Sequence, residues 1–141
     1  MCYKLVLSND RFIKYKTGHF MSYSVLVCDD SAVARKQVIK HLQSNLDIVL
    51  HQAKDGQQAM EILQAQQIDL LCLDLTMPIL DGIGVLEAIK TNKIECYVVV
   101  ISADIQAQMK ERVASLGALG FLEKPAKAEQ LLELLHKFGI R

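Results

Sequence analysis

The stretch VLVCDD at residues 25–30 decides how this chain folds. Its apolar residues favour a strand, and they run directly into Asp29 and Asp30. The same step from an apolar run to a charged side chain recurs in LLCLD at residues 70–74 and in FLEK at residues 121–124. Strands that are covered on both faces are apolar throughout, so these stretches predict buried parallel strands with charged residues at their carboxyl ends.

Strand-like runs alternate five times with segments of helical periodicity between residues 23 and 138. The runs cover residues 23–28, 48–51, 69–73, 96–101 and 119–122. Alternating units joined by short loops predict a parallel sheet with right-handed crossovers. Five units are too few to close an eight-stranded barrel. We therefore predict an α/β fold, a flavodoxin-like (βα)5 doubly wound parallel sheet with strand order 2-1-3-4-5.

The helical segments are marked by apolar residues that return every three or four positions. The last segment is the clearest and contains Leu131, Leu134, Leu135 and Phe138. Gly139 is placed to end that helix. The fourth segment is marked by Ile105, Met109, Val113 and Leu116. Their spacing predicts a helix that begins near Asp104 and carries these side chains on one face.

The composition favours a single neutral domain. The chain has 141 residues, of which 51% are hydrophobic, and its 16 basic and 16 acidic residues give a net charge of zero. A neutral chain lacks the basic surface that nucleic acid demands, so we expect no direct nucleic-acid partner. No apolar run is long enough to cross a bilayer, so we expect no membrane insertion.

The cysteines and histidines predict neither a disulfide framework nor a zinc site. None of the four cysteines forms a C-x-x-C pair, and the four histidines show no metal-ligand spacing. Cys28, Cys72 and Cys96 lie in or beside predicted strands, where a free thiol packs as a small hydrophobe. This usage predicts a reduced, cytoplasmic setting.

Residues 1–20 differ from the rest of the chain because they mix basic and apolar residues without a clean period. They also lack the continuous apolar middle and the small-residue cleavage site of a signal peptide. We therefore predict an N-terminal extension, residues 1–20, and one domain, residues 21–141, that begins near Met21. The extension is interpreted as an appendage, as added residues or as the result of an assigned start codon.

Charged residues at the ends of parallel strands meet at one edge of the sheet, where ligands bind. Asp29, Asp30, Asp74 and Lys124 should therefore converge. Carboxylates a few ångströms apart repel one another by roughly a few kcal/mol, so a cation must offset them. Mg²⁺ suits this role because it prefers oxygen ligands and accepts phosphate as a further ligand. The cluster predicts a site for Mg²⁺ and a phosphoryl group, with Lys124 as a second positive charge.

Single members of the cluster also have a structural explanation. An aspartate before a helix is commonly its N-cap, and this alternative stays open for Asp30. Ser102 ends the fourth strand, where its hydroxyl suits either a phosphoryl oxygen or the cap of the next helix. N-capping does not account for Asp74, which is followed by LTMP and not by a helix, or for Lys124, which precedes Pro125.

Four motifs stand in order along the chain: VLVCDDS at residues 25–31, LDLTMPILDG at residues 73–82, ISA at residues 101–103 and FLEKP at residues 121–125. In order and spacing they resemble the receiver domain of bacterial two-component response regulators, of the stand-alone, CheY-like type. The resemblance runs from residue 21 to residue 138. It implies a receiver that is activated by phosphorylation and is not an enzyme, beyond accepting its phosphoryl group and losing it by autodephosphorylation.

The resemblance implies a role for each residue of the cluster. Asp74 is the phosphoacceptor, which attacks a phosphohistidine and becomes an aspartyl phosphate. Asp30, Asp74 and the backbone carbonyl of Thr76 hold Mg²⁺, while Asp29 holds it mainly through water. Lys124 pairs with the phosphoryl group.

The resemblance also implies a switch. Ser102 moves to meet the phosphoryl group, and Phe121 rotates into the space that is vacated. The position of Phe121 is often tyrosine in the family, so an output contact that needs the tyrosine hydroxyl is absent here. The bond between Lys124 and Pro125 is often cis in the family, which an X-Pro bond tolerates at modest cost.

The implied partners are a sensor histidine kinase or phosphotransfer protein and a target protein that distinguishes the phosphorylated state. The implied setting is a cytoplasmic two-component phosphorelay, with Mg²⁺ as cofactor and chemotaxis as the process favoured by analogy with stand-alone receivers. Two alternatives remain within the family: a receiver fragment of a larger regulator, and a phosphate sink without direct output. Only three residues follow Phe138, so we expect no output domain in this chain.

Two other chemistries fit the acidic loop less well. A phosphatase of the haloacid dehalogenase type also uses an aspartate nucleophile and Mg²⁺, but it needs D-x-D after the first strand, and here the pair is contiguous. A flavodoxin-like FMN carrier needs a phosphate loop rich in glycine and hydroxyl groups. The sequence DDSA at residues 29–32 is acidic instead.

Overall fold

The computed structural model describes residues 22–141 in full and, before them, the backbone of residues 3–8 and 11–16. Strands β1 (Tyr3–Ser8) and β2 (Arg11–Lys16) pair antiparallel as a two-stranded sheet. Because residues 1–20 show no clean period, no strand was predicted there, and this two-stranded sheet was missed. Residue 21 lies outside the described residues, and the division of the chain at that point stays a prediction.

The second sheet has five strands and carries the cluster of charged residues. Its strands are β3 (Tyr23–Cys28), β4 (Ile48–Ala53), β5 (Leu70–Leu73), β6 (Tyr97–Ser102) and β7 (Gly120–Glu123). They are all parallel and lie in the order β4-β3-β5-β6-β7. Counted from β3, this is the order 2-1-3-4-5, so the predicted flavodoxin-like fold is confirmed.

Five helices connect and cover these strands. They are α1 (Ala32–Gln43), α2 (Gly56–Ala65), α3 (Gly82–Thr91), α4 (Ala107–Ser115) and α5 (Ala128–Lys137). On β3, Val25 and Val27 pack in the apolar cluster with α1 and α5, whereas Leu26 and Cys28 pack in the cluster with α2 and α3. Both faces of the strand are therefore covered by helices, which explains why it is apolar at successive positions.

Short polar side chains begin the first three helices. Ser31, Asp55 and Asp81 each accept a hydrogen bond from the backbone N–H three residues further on, at 3.2, 2.8 and 2.8 Å. These bonds satisfy N–H groups that the first helical turn leaves without a partner. Since Ser31 is the N-cap of α1, the alternative that Asp30 caps this helix is wrong.

Helix α4 begins later than its apolar spacing predicted. Its first residue is Ala107, so Ile105 precedes the helix and is 47% exposed, and the prediction that Ile105 shares the helical face is wrong. The Asp104 N–H donates to Ser102 Oγ, and the Gln106 N–H donates to Asp104 Oδ1, both at 3.1 Å. These local bonds compete with helical ones and hold residues 102–106 in a turn.

The end of α5 follows the prediction. Gly139 adopts a φ of 85°, and the next N–H, that of Ile140, donates to the carbonyl of Leu135 at 3.0 Å. Glycine adopts this left-handed conformation without the steric cost of a side chain, so it ends the helix here. Among the described residues, no helix is both long and apolar enough to cross a membrane.

Candidate functional site

Backbone hydrogen bonds of the parallel pattern continue for one residue beyond the ends of the strands. The Asp29 N–H donates to the carbonyl of Ala53 at 3.1 Å, and the Asp74 N–H donates to that of Cys28 at 3.0 Å. The Lys124 N–H donates to the carbonyl of Ser102, also at 3.0 Å. The backbone therefore fixes Asp29, Asp74 and Lys124 at the same edge of the sheet, as parallel pairing predicts.

Lys124 joins the two buried carboxylates of the cluster. Its Nζ lies 2.6 Å from Asp29 Oδ2 and 3.4 Å from Asp74 Oδ1. The other oxygen of Asp29 accepts a hydrogen bond from the Ser31 N–H at 2.9 Å. The side chains of Asp29 and Asp74 are 8% and 5% exposed, and that of Lys124 is 23% exposed, so water screens these charges weakly.

The charges of the cluster shift the pKa values of its members. Burial and the neighbouring Asp29 charge raise the pKa of Asp74, although Lys124 and the Thr76 N–H act in the opposite direction. For Lys124, burial favours the neutral amine, but the hydrogen bonds and charges of Asp29 and Asp74 outweigh it and raise the pKa. The ammonium form is therefore held firmly beside two carboxylates.

The donor set of the cluster fits a hard divalent cation. One carboxylate oxygen from each of Asp29, Asp30 and Asp74 lies within 4.8 Å of the others. Asp30 is exposed, and its carboxylate has no hydrogen bond or ion pair to any residue in the described part of the chain. Three acidic groups around one ammonium leave negative charge uncompensated, and oxygen ligands of this kind suit Mg²⁺.

The loop after Asp74 is packed closely against the start of α3. The Gly82 N–H donates to the carbonyl of Leu75 at 3.0 Å, and a Cβ at Gly82 would overlap the carbonyl oxygen of Asp74. Thr76 is exposed on this loop, two residues after Asp74. Glycine is therefore required for close packing behind the predicted phosphoacceptor.

The two predicted switch residues lie on adjacent strands, at different depths. Ser102, at the end of β6, is 1% exposed, and its Oγ accepts only the Asp104 N–H among the described residues. Since the N-cap position of α4 is Gln106, the alternative that Ser102 caps this helix is wrong. Phe121, on β7, is half-buried, and Lys110 Nζ lies 5.6 Å from the centre of its ring.

An open cavity of about 280 Å³ adjoins the cluster between α1 and the loop after β7. Its lining includes the charged side chains of Asp29 and Lys124 and the apolar side chains of Val33, Val38 and Pro125. The peptide bond between Lys124 and Pro125 is cis, as the resemblance implied. The cavity leaves room for a side chain to approach the charged cluster from outside.

One residue at the site was not identified from the sequence. Arg35, on α1, donates from Nη1 to the carbonyl of Asp29 at 2.7 Å. The one feature of the sequence that could have pointed to Arg35 is its position near the amino end of a predicted helix. The helix dipole disfavours a cation there, so a basic residue at this position calls for another explanation.

The fold and the charged edge of its sheet define a receiver of the response regulator class. The family described as response regulator receiver domain matches residues 25–136, so the chain belongs to this family. The predicted relationship is thereby confirmed.

Individual relatives show the receiver both alone and within longer proteins. The chain is 33% identical to the chemotaxis protein CheY of Bacillus subtilis over 117 residues, which cover 83% of this chain and 98% of that protein. It is 35% identical to a protein-glutamate methylesterase/protein-glutamine glutaminase of Clostridium acetobutylicum over 113 residues, which cover 78% of this chain but 33% of that protein.

A solved structure shows the same likeness in three dimensions. The CheX-CheY-BeF3-Mg²⁺ complex of Borrelia burgdorferi contains a chain with a TM-score of 0.77 and 30% identity to this one. The match covers 84% of this chain and 90% of that chain.

Proposed function

We propose that this chain is a phosphorylation-activated receiver in which Asp74 accepts a phosphoryl group from a phosphohistidine of a sensor histidine kinase or phosphotransfer protein. The observation that carries the proposal is the position of Lys124, whose Nζ lies 2.6 Å from Asp29 and 3.4 Å from Asp74. The carboxylate that receives the phosphoryl group is thus held beside a fixed cation. Phosphoryl transfer depends mainly on such positioning and charge compensation.

In the proposed step, an ionised oxygen of Asp74 attacks phosphorus and forms a new O–P bond. The P–N bond to the imidazole breaks, and its electron pair returns to the ring nitrogen. The reaction requires the ionised carboxylate, and Lys124 and the Thr76 N–H favour that form against the opposing effects of burial and Asp29. Lys124 then pairs with the oxygens of the transferred group.

Asp30, Asp74 and the backbone carbonyl of Thr76 would hold Mg²⁺, with Asp29 contributing mainly through water. The bound ion would neutralise charge on the transferred oxygens. The mutual proximity of the three carboxylates, within 4.8 Å, supports this assignment. Asp29 also tethers Lys124, so that the ammonium stays at the site before the phosphoryl group arrives.

Ser102 and Phe121 are the proposed switch. The hydroxyl of Ser102 moves towards the phosphoryl group and donates to it, and the ring of Phe121 turns inward into the vacated space. The half-buried position of Phe121 supports this assignment, because the ring can gain buried area by rotating. Phosphorylation would shift the populations of two arrangements that both exist beforehand.

We place this activity in the cytoplasm, in a two-component phosphorelay that ends on a protein target which distinguishes the phosphorylated state. Chemotaxis is the proposed process, and CheY of Bacillus subtilis, which the chain matches over 98% of its length, supports a stand-alone messenger. A receiver segment of a larger regulator or a phosphate sink is the second candidate, supported by the match to one third of a methylesterase. The neutral net charge supports a protein partner over nucleic acid.

The test is phosphorylation by acetyl phosphate, with and without Mg²⁺, followed by mass spectrometry of the intact protein and its peptides. We expect one Mg²⁺-dependent phosphoryl group on Asp74, abolished by Asp74→Asn and retained by Asp47→Asn, a matched control at an exposed aspartate. Modification elsewhere, or without Mg²⁺, would overturn the proposal. Multiple-turnover release of phosphate from assorted phosphomonoesters would favour a hydrolase instead.

A further inference from the structure

We infer that Arg35 is a positioning residue that fixes the carboxylate of Asp30 for the metal; this inference rests on the function proposed above. Asp30 is the exposed member of the acidic cluster. Its carboxylate has no hydrogen bond or ion pair within the described residues, so its location depends on the backbone that carries it.

Hydrogen bonds fix the peptide units on both sides of Asp30. On the preceding side, Arg35 Nη1 donates to the carbonyl of Asp29 at 2.7 Å. On the following side, the Ser31 N–H donates to Asp29 Oδ1 at 2.9 Å. Two bonds therefore restrict the rotation of the backbone about Asp30 and limit the positions open to its carboxylate.

Arg35 is itself held at a second point. Its Nε donates to Gln52 Oε1, on the neighbouring strand β4, at 3.1 Å. The guanidinium thus bridges a side chain of β4 and the backbone that leaves β3, and a planar group with several donors makes both bonds at once. A lysine at this position has a single charged nitrogen and cannot reproduce both bonds in the same geometry.

The charge of Arg35 does not explain its presence. A cation near the amino end of α1 is disfavoured by the helix dipole, and a cation beside a metal site repels the metal. Arg35 bonds to a carbonyl and an amide, and no ion pair to the acidic cluster is found for it among residues 22–141. The hydrogen bonds of Arg35 therefore predict that its loss weakens Mg²⁺ binding, whereas its charge predicts that its loss strengthens it.

The experiment is an ¹⁵N NMR titration of the metal-free protein with Mg²⁺, followed at the amides of residues 29–31. Removal of a group that orients a metal ligand typically weakens metal affinity about tenfold or more, so we expect Arg35→Met to raise the Mg²⁺ Kd by about that factor. Arg35→Lys should give an intermediate Kd, and it keeps the test open if Arg35→Met fails to fold. Lys36→Met, which removes the neighbouring exposed charge, should leave the Kd unchanged or slightly lower.

A second readout does not depend on the metal. In the metal-free protein, the ¹⁵N order parameter of the Asp30 amide should fall in Arg35→Met and stay at the wild-type value in Lys36→Met. A Kd that is unchanged or lower in Arg35→Met overturns the positioning role while the proposed function stands. A wild-type protein that binds no Mg²⁺ overturns the proposed function and this inference together.

Discussion

The centre of the five-stranded sheet and its β7 edge differ in how completely their residues are buried. Every residue of β5 is buried, whereas β7 has three half-buried residues followed by the exposed Glu123. The helix that follows β5 and the helix that precedes β7 show the same contrast. Helix α3 is capped by Asp81 and buries four residues, while α4 has no side-chain cap bond and buries only Val113.

This contrast matches the two parts of the proposed mechanism. The phosphoacceptor needs fixed neighbours, because charge compensation depends on distances that do not change during the reaction. In the proposed switch, the ring of Phe121 must turn without breaking a core, and few buried apolar contacts allow such movement. Asp74 follows the fully buried β5, and Phe121 lies on the less buried β7.

The largest expected effect compares one leucine from each region. Leu71 on β5 is fully buried, and Leu71→Ala should lower the free energy of unfolding by about 2–5 kcal/mol, through lost burial and a cavity. Leu122→Ala on the half-buried β7 should cost about 1 kcal/mol. Urea unfolding of both variants checks the comparison. Equal losses of unfolding free energy in the two variants would contradict the difference in packing between β5 and β7.

The next effect concerns the charge of Asp74. Because its pKa is raised on folding, first by burial and then by Asp29, its ionised form destabilises the fold at neutral pH. Asp74→Asn should therefore raise the free energy of unfolding at pH 7, without Mg²⁺, by about 0.5–2 kcal/mol, the range usual for a single stabilising substitution. The gain should shrink as the pH falls through the raised pKa and vanish below the ordinary value of 3.8.

Asp47→Asn is the control for this effect. Asp47 is exposed and lies outside the acidic cluster, so the same substitution there should change stability little across the pH series. Urea unfolding at a series of pH values measures both variants. A gain at Asp74 that does not depend on pH would show that charge is not its cause.

A smaller effect is expected at Ile79, in the loop between Asp74 and α3. This β-branched residue has a φ of 69°, is 76% exposed and therefore carries steric strain with little burial to offset it. Ile79→Asn should raise the melting temperature, with a gain in stability of about 0.5–1 kcal/mol, because asparagine tolerates this conformation better. Ile105→Asn, at an exposed isoleucine without a positive φ, should show no such gain.

The smallest effect is expected at the β7 edge, where Lys110 lies over the ring of Phe121. An exposed contact of this kind contributes about 0.5 kcal/mol. A double-mutant cycle of Lys110→Met and Phe121→Leu, measured by urea unfolding, should give a coupling energy of that size. A coupling above about 2 kcal/mol would contradict the view that this edge is weakly held.

Much of the fold was determined by local pattern. Apolar runs predicted all five parallel strands, three of which lead into charged residues, and their order along the chain predicted the sheet. The predicted start of α4 was wrong because hydrogen bonds of Ser102 and Asp104 hold the chain in a turn before the helix. Apolar spacing does not reveal such a turn. The sheet of β1 and β2 was missed because residues 1–20 carry no clear period.

For the site, local sequence was enough to place Asp29, Asp74 and Lys124 at the ends of strands, because the apolar run of each strand stops just before them. How these side chains pair with one another depends on the three-dimensional packing. Lys124 makes its shorter contact with Asp29 and not with Asp74, and Arg35 reaches the carbonyl of Asp29. These contacts depend on the twist of the sheet and on the packing of α1, which join residues far apart in the chain and leave no local pattern in it.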